Sequence, residues 1–251
     1  LQVTLESLYK TVSEKTNISV GSVSTSERDR LKTIDSVIKS KVIGQDSAVE
    51  TICRSVRRQR VGMGNPDSPV TFLFVGTSGV GKTYLAKKLS EEVFGDEKSM
   101  VRLDMSEYAD KIRANKLIGS SAGYVGYEEG GLLTEAIKKN NHCVLLLDEI
   151  EKANEEIFNM FLQVFDEGRL TDNKGVTVDF RNVIIIMTSN IGTKEAAEFK
   201  GPIGFGSKNE NVQNHDIIMK TIKKKLPPEF INRIDEIVFF NKLTDENLHD
   251  L

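Results

Sequence analysis

The chain has 251 residues, 39% apolar and 28% charged, a balance ordinary for a globular protein of one large or two small domains. A formal net charge of -3 gives no general electrostatic reason to bind nucleic acid or an anionic membrane. Two cysteines make no disulfide framework, no apolar run is long enough to span a bilayer and no signal peptide opens the chain, so a reducing, cytoplasmic setting is expected.

Residues 1–40 read as a polar helical leader, with a loose helical spacing over Val3 to Lys15 and a Ser-, Thr- and Gly-rich linker over Asn17 to Ser26. A second helix opens at Ser26-Glu27-Arg28-Asp29 and presents Leu31, Ile34, Val37 and Ile38 on one face. The sequence starts without Met and stops at Asp250-Leu251 without a terminating signal, as expected of a piece of a longer chain. From Val42-Ile43-Gly44-Gln45 the character changes. Gln45 or Asp46 is expected to cap a helix running to Arg60 with Ala48, Ile52 and Val56 inward. Its basic end, Arg54 to Arg60, reads as a solvated face that compensates the helix dipole, in preference to a nucleic-acid patch.

Thr71-Phe72-Leu73-Phe74-Val75 reads as a buried strand. It runs into Gly76-Thr77-Ser78-Gly79-Val80-Gly81-Lys82-Thr83, which fits G-x-x-x-x-G-K-[ST], and then into an amphipathic helix beginning at Tyr84. In that setting the glycines let successive backbone N–H groups converge on phosphate oxygens, and the helix N-terminus adds positive potential. Lys82 would reach the β- and γ-phosphates and the Thr83 hydroxyl would take a place on Mg²⁺.

Further on, Met100 to Asp104 reads as a strand, Ser106 to Leu117 as a charged helix, Gly119 to Gly131 as a glycine-rich loop and Leu132 to Lys139 as a helix. Cys143-Val144-Leu145-Leu146-Leu147 is continuously apolar, the mark of a strand covered on both faces, and Cys143 reads as a small core hydrophobe. A helix is expected over Glu151 to Glu167 and a second apolar strand over Val183 to Met187. Thr193 to Gln213 reads as irregular, Ile217 to Leu226 as a basic helix broken by Pro227-Pro228, Glu229 to Arg233 as a short helix and Ile237 to Phe240 as a last strand. Strands alternating with helices predict a doubly wound α/β fold with a mostly parallel sheet and a ligand site at the strands' carboxyl ends. There Asp148 is placed for the metal, Glu149 for orienting or deprotonating the attacking water, and Asn190 either for a hydrogen bond to phosphate or water or for a turn.

The order of these motifs resembles the second AAA+ module of the Clp family of hexameric protein unfoldases, especially the ClpC type. It is carried by Val42-Ile43-Gly44-Gln45-Asp46, the phosphate loop, Leu103-Asp104-Met105-Ser106-Glu107-Tyr108, Gly123-Tyr124-Val125-Gly126, Leu147-Asp148-Glu149-Ile150-Glu151-Lys152-Ala153, Gly168-Arg169-Leu170-Thr171-Asp172, Met187-Thr188-Ser189-Asn190 and Pro228-Glu229-Phe230-Ile231-Asn232-Arg233. The resemblance implies a P-loop NTPase large subdomain with a five-stranded sheet over residues 41–240, followed at 241–251 by the start of a truncated small subdomain. It implies ATP and Mg²⁺ as cofactors, with Val42, Ile43, Thr77 to Thr83 and Tyr84 around the nucleotide. Asn190 becomes the γ-phosphate sensor, and Arg233 a finger that completes the neighbouring subunit's site in a homo-hexamer.

By the same resemblance Tyr124 and Val125 line a substrate pore that grips unfolded protein, with a second loop near Asp172 to Val176. Ile203-Gly204-Phe205 is similar to the tripeptide that docks a ClpP-type peptidase, and the resemblance implies adaptor proteins as partners. Thr77 stands where the family usually has proline, which leaves the glycine spacing intact. A ClpB-type disaggregase is the alternative reading, and a nucleic-acid-remodelling AAA+ ATPase a more distant one.

Overall fold

The run from Val70 to Val75 forms an interior strand of the sheet and is buried at every residue, its one polar side chain, Thr71, bonded to Asp235 and the Arg233 carbonyl. The computed structural model describes residues 25–119, 130–198 and 207–249. In chain order the elements are α1 (Thr25–Lys41), α2 (Asp46–Arg60), β1 (Val70–Val75), α3 (Lys82–Phe94), β2 (Met100–Asp104), α4 (Lys111–Asn115), α5 (Leu132–Lys139), β3 (Val144–Asp148) and α6 (Glu155–Glu167). Then come β4 (Arg169–Thr171), β5 (Thr177–Asp179), β6 (Ile184–Ser189), α7 (Thr193–Glu198), α8 (Ser207–Lys225), α9 (Pro228–Ile231), β7 (Glu236–Phe239) and α10 (Asp245–His249).

Five strands make one wholly parallel sheet in the order β2-β3-β6-β1-β7, as the alternating pattern predicts. The period of two divides each strand between two cores. Phe72, Phe74, Leu146 and Ile186 pack with Ile38, Ile52, Leu85 and Leu89 of α1, α2 and α3. Leu73, Leu145, Leu147 and Met187 pack on the other face with Ile137, Phe161, Ile222 and Phe230 of α5, α6, α8 and α9. Each such fully buried side chain contributes about 1.5–3 kcal/mol relative to exposure. Cys53 and Cys143 lie within these cores, and burial pushes both thiols up to about 12. Among the described residues no helix is long and apolar enough to cross a membrane.

Register decides where the polar residues meet. Asp104 pairs with Asp148, and Val75 with Ser189, so the polar carboxyl ends of β2, β3 and β6 gather beside the loop that follows β1.

Several elements depart from the periodic reading. The charged helix expected over Ser106 to Leu117 is a 3₁₀ turn, Met105–Tyr108, followed by the short α4. Two aspartates restart the chain: Asp104 accepts from Ser106 N and Asp110 from Arg113 N. The helix expected from Glu151 begins only at Glu155, because Asn154 caps it through Glu156 N after a 3₁₀ turn over Ile150–Lys152. The stretch from Thr193 to Gln213 is not irregular throughout, since it holds α7 and the first turns of α8. Those turns are polar, and periodicity registers a helix only where an apolar face begins, here at Ile217 and Ile218. The hairpin of β4 and β5 has one buried residue per strand, Leu170 and Val178, too few for alternation to show.

Candidate functional site

The loop between β1 and α3 begins at Gly76, whose N–H donates to Ser189 O at 3.2 Å. Gly79 and Gly81 take left-handed φ values of 82° and 96°, and a Cβ on either would meet nothing within 4 Å. The space over the loop is therefore open, and the glycines are needed for backbone direction rather than for packing. The Lys82 ammonium folds over the loop and donates to the carbonyls of Gly76 at 2.6 Å and Thr77 at 2.8 Å. Burial holds its pKa below the usual lysine range, against the opposing pull of Asp148, Glu151 and Glu149.

Facing the loop across a cleft of about 470 Å³ are the strand ends. Ser78, Lys82, Thr83, Tyr84, Asp148, Glu149 and Asn190, each assigned to the site from sequence, all line it. Thr77 offers its carbonyl to Lys82. Ile43 is half-buried. Val42 and Val80 are 3% and 5% exposed and belong to the core, so their side chains support the loop from behind.

Asp148 Oδ1 accepts from Thr188 Oγ1 at 2.5 Å, and its Oδ2 from Arg102 at 2.6 Å. Glu149 has φ 55°, the one left-handed non-glycine residue among those described. Its N–H donates to Thr188 Oγ1 at 3.1 Å, and its Oε2 pairs with Lys152 at 2.5 Å. Asn190 N donates to Glu151 Oε1 at 3.1 Å, while Glu151 Oε2 is buried with no protein partner among the described residues.

Gln45 occupies the N-cap position of α2, as expected, and is fully buried, but its side chain makes no capping bond there. Its amide nitrogen donates to Val80 O at 3.1 Å and Asn241 O at 2.9 Å, and its oxygen accepts from Asn241 N at 3.0 Å. It joins the phosphate loop to the chain beyond β7.

Arg233 lies elsewhere. Its Nε donates to Asp166 at 2.5 Å and its carbonyl accepts from Thr71 Oγ1 at 3.2 Å, at the amino end of β1. The phosphate loop follows the opposite end of that six-residue strand, roughly 15–20 Å away at about 3.3 Å per residue. Tyr124 and Val125, and Ile203, Gly204 and Phe205, fall outside the described residues. Of the basic residues closing α2, Arg57 pairs with Asp35 at 2.7 Å and Arg60 lies 4.9 Å over the Phe94 ring, which fits a structural face.

Arg102, Thr188 and Glu151 carry no role in the sequence pattern. An arginine inside an otherwise apolar strand, two residues before its end, was the available signal for Arg102. Glu151 and Thr188 carried none beyond their neighbours, because their roles depend on the pairing of β3 with β6.

The cleft fits a nucleotide triphosphate on its own chemistry: uncovered loop backbone and an ammonium on one wall, carboxylates on the other. Among the described residues no group of three or more acidic, His or Cys side chains could cage a metal. Mg²⁺ needs no such cage, because it takes one or two protein oxygens together with phosphates and waters, and Thr83 and Asp148 fit that demand.

A phosphate-type glycine loop after a buried interior strand, facing acidic strand ends on a parallel sheet, defines a P-loop nucleotide-binding protein. More narrowly, the chain belongs to the AAA domain family (Cdc48 subfamily), whose pattern matches residues 67–237. Over its whole length it is 48% identical to the negative regulator of genetic competence ClpC/MecB of Bacillus subtilis, covering 31% of that protein. It is 47% identical, over 98% of its length and 28% of the relative's, to the chaperone protein ClpB of Clostridium tetani. Hsp104, solved in a closed state with ATPγS and FITC casein, superposes on 98% of this chain with TM-score 0.85 and 40% identity, the chain covering 42% of it. The chain thus spans about a third of the length of the sequence relatives it matches.

Proposed function

We propose that this chain binds ATP with Mg²⁺ and hydrolyses it, as the motor module of a protein unfoldase. The observation that carries the reading is the convergence of Lys82, Thr83, Asp148, Glu149 and Asn190 on one cleft. Backbone N–H groups of the loop and Lys82 hold the phosphates. Thr83 and Asp148 would hold Mg²⁺, which would supply neutralisation of the phosphate charge. Glu149 takes the proton of the attacking water and Asn190 orients that water or the terminal phosphate.

The separation between Arg233 and its own phosphate loop supports a role in a neighbouring subunit's site, hence a homo-hexamer. Tyr124 and Val125 contact unfolded polypeptide in the pore, and Ile203-Gly204-Phe205 docks a ClpP-type peptidase, in a cytoplasmic setting with adaptors choosing substrates. The likeness to the ATP-dependent Clp protease ATP-binding subunit ClpC of Staphylococcus aureus, 43% identical over 98% of this chain, supports the peptidase-coupled form. The likeness to ClpB and to Hsp104 solved with casein supports a second reading, a disaggregase that works without a peptidase.

The test is ATP-dependent degradation of a tagged, folded reporter by the full-length protein with ClpP, comparing wild type with Glu149→Gln and with residues 203–205 deleted. Loss of degradation in both, with ATPase kept only in the deletion, is expected. Degradation that survives the deletion overturns the docking assignment. A wild type with ATPase but no degradation moves the disaggregase reading ahead.

A further inference from the structure

We infer that Arg102 is a positioning residue that holds the Asp148 carboxylate in the metal-free cleft and yields it when Mg²⁺ binds, so that ion pair and metal compete for one carboxylate. The inference rests on the nucleotide reading above. Both Asp148 oxygens are engaged, Oδ1 by Thr188 at 2.5 Å and Oδ2 by Arg102 at 2.6 Å. A metal that uses Asp148, directly or through a water, must approach a carboxylate that already carries the Arg102 guanidinium on Oδ2. Thr188 is 1% exposed and fixed within the buried strand β6, whereas the Arg102 side chain is 52% exposed and reaches in from β2 at the edge of the sheet. The arginine is therefore the ligand that moves.

It also has a reason to move. A guanidinium keeps its charge at any ordinary pH, so it cannot neutralise itself beside a divalent cation, and the two repel across a cleft only partly screened by water. A second seat stands on the same strand. Asp104, two residues along, lines the same cleft, and its Oδ1 accepts from Ser106 N and Oγ. Hydrogen bonds from Ser106 hold the Asp104 carboxyl below its usual range, and the Arg102 charge adds to that, which places Arg102 within electrostatic reach of both carboxylates. Arg102 thus shuttles from Asp148 toward Asp104 as the metal arrives, keeping the cleft neutralised in the metal-free form and leaving Asp148 available in the loaded one.

The experiment measures binding, not turnover. In the full chain, a fluorescent ADP analogue is titrated in EDTA and at stepped Mg²⁺ concentrations for wild type, Arg102→Gln, Asp104→Asn and Lys82→Ala. The expected result for Arg102→Gln is a Mg²⁺ half-saturation about three- to fivefold lower than wild type, the scale of a partly exposed ion pair, with affinity in EDTA lowered because the metal-free cleft loses a positive charge. Asp104→Asn, which removes the second seat, raises the half-saturation and supplies an independent readout if Arg102→Gln folds poorly. A half-saturation that is unchanged or higher in Arg102→Gln, or unchanged in Asp104→Asn, overturns the inference while leaving the nucleotide reading standing. A wild type that binds the analogue no better than Lys82→Ala at any Mg²⁺ concentration overturns both.

Discussion

Thr188 and Asp148 are joined by a 2.5 Å hydrogen bond between the ends of two parallel strands, and the same Thr188 oxygen accepts the Glu149 N–H at 3.1 Å. One hydroxyl therefore fixes both the carboxylate placed for the metal and the backbone of the residue placed for the water. Thr188→Val keeps the shape and removes both bonds. Each is worth about 1 kcal/mol, so a stability loss of about 1–2 kcal/mol is expected in denaturant titration. Turnover is expected to fall at least tenfold with nucleotide affinity nearly kept, because orientation and not binding is lost. A variant with wild-type turnover would mean that Glu149 is held by something other than this bond.

The parts of the site that were legible in sequence are those whose chemistry is local. The glycine loop, Lys82 and Thr83 lie within eight consecutive residues, and the acidic pair closes an apolar run that reads as a strand by itself. What was hidden depends on register. Nothing near Thr188 points to Asp148, 40 residues away, or near Arg102 to the same carboxylate, 46 residues away. Gln45 has the same character, since its partner Asn241 is 196 residues distant and its local context reads as a helix cap. For the fold, the long apolar strands were clear because burial on both faces leaves a continuous run. The restarts at Asp110 and Asn154 were not, because a capping side chain overrides the charged, helix-compatible composition around it.

Glu149 pays for its position in backbone strain. Its φ of 55° costs about 1–2 kcal/mol for a residue with a Cβ. Its ion pair with Lys152 is i to i+3, with side chains 37% and 50% exposed, and contributes little to stability. Glu149→Gly is therefore expected to be more stable than wild type by about 1 kcal/mol while losing ATP hydrolysis. Glu149→Gln loses hydrolysis with no gain in stability. Thermal denaturation of the two variants side by side separates strain from charge; equal stabilities would show that the left-handed backbone is not strained.

Gln45, itself fully buried, ties the phosphate loop to the segment after β7 through three hydrogen bonds. Gln45→Leu fills the volume but leaves the carbonyls of Val80 and Asn241 and the Asn241 N–H without this partner. A loss of about 1–3 kcal/mol is expected, mostly from stranding the buried Val80 carbonyl, since Asn241 is exposed and its backbone can turn to water. The loop also loses its rear anchor, so nucleotide affinity falls severalfold even at temperatures where the variant is fully folded. Equilibrium unfolding together with nucleotide titration well below the transition checks both; unchanged affinity in a destabilised protein would confine Gln45 to a packing role.

Lys82 sets a pH dependence whose sign follows from its surroundings. Burial lowers its pKa, with Asp148, Glu151 and Glu149 opposing, so the amine loses its proton at a lower pH than an ordinary lysine. Phosphate binding adds negative charge beside it and pulls the pKa back up. Nucleotide binding must then take up protons on the alkaline side, and affinity must fall as pH rises through the depressed pKa of the free protein. The same shift acts on folding: the unfolded chain holds the proton more tightly, so this lysine costs stability below its folded-state pKa. That cost is relieved as pH rises through the window between the folded and unfolded values. Calorimetry of nucleotide binding at about pH 9 in two buffers of different ionisation enthalpy reads the uptake directly, since about 9 lies below the free-lysine value near 10.4. Proton uptake that vanishes in Lys82→Arg, whose guanidinium stays charged, assigns it to this residue. Equal uptake in both would place the titrating group elsewhere in the cleft.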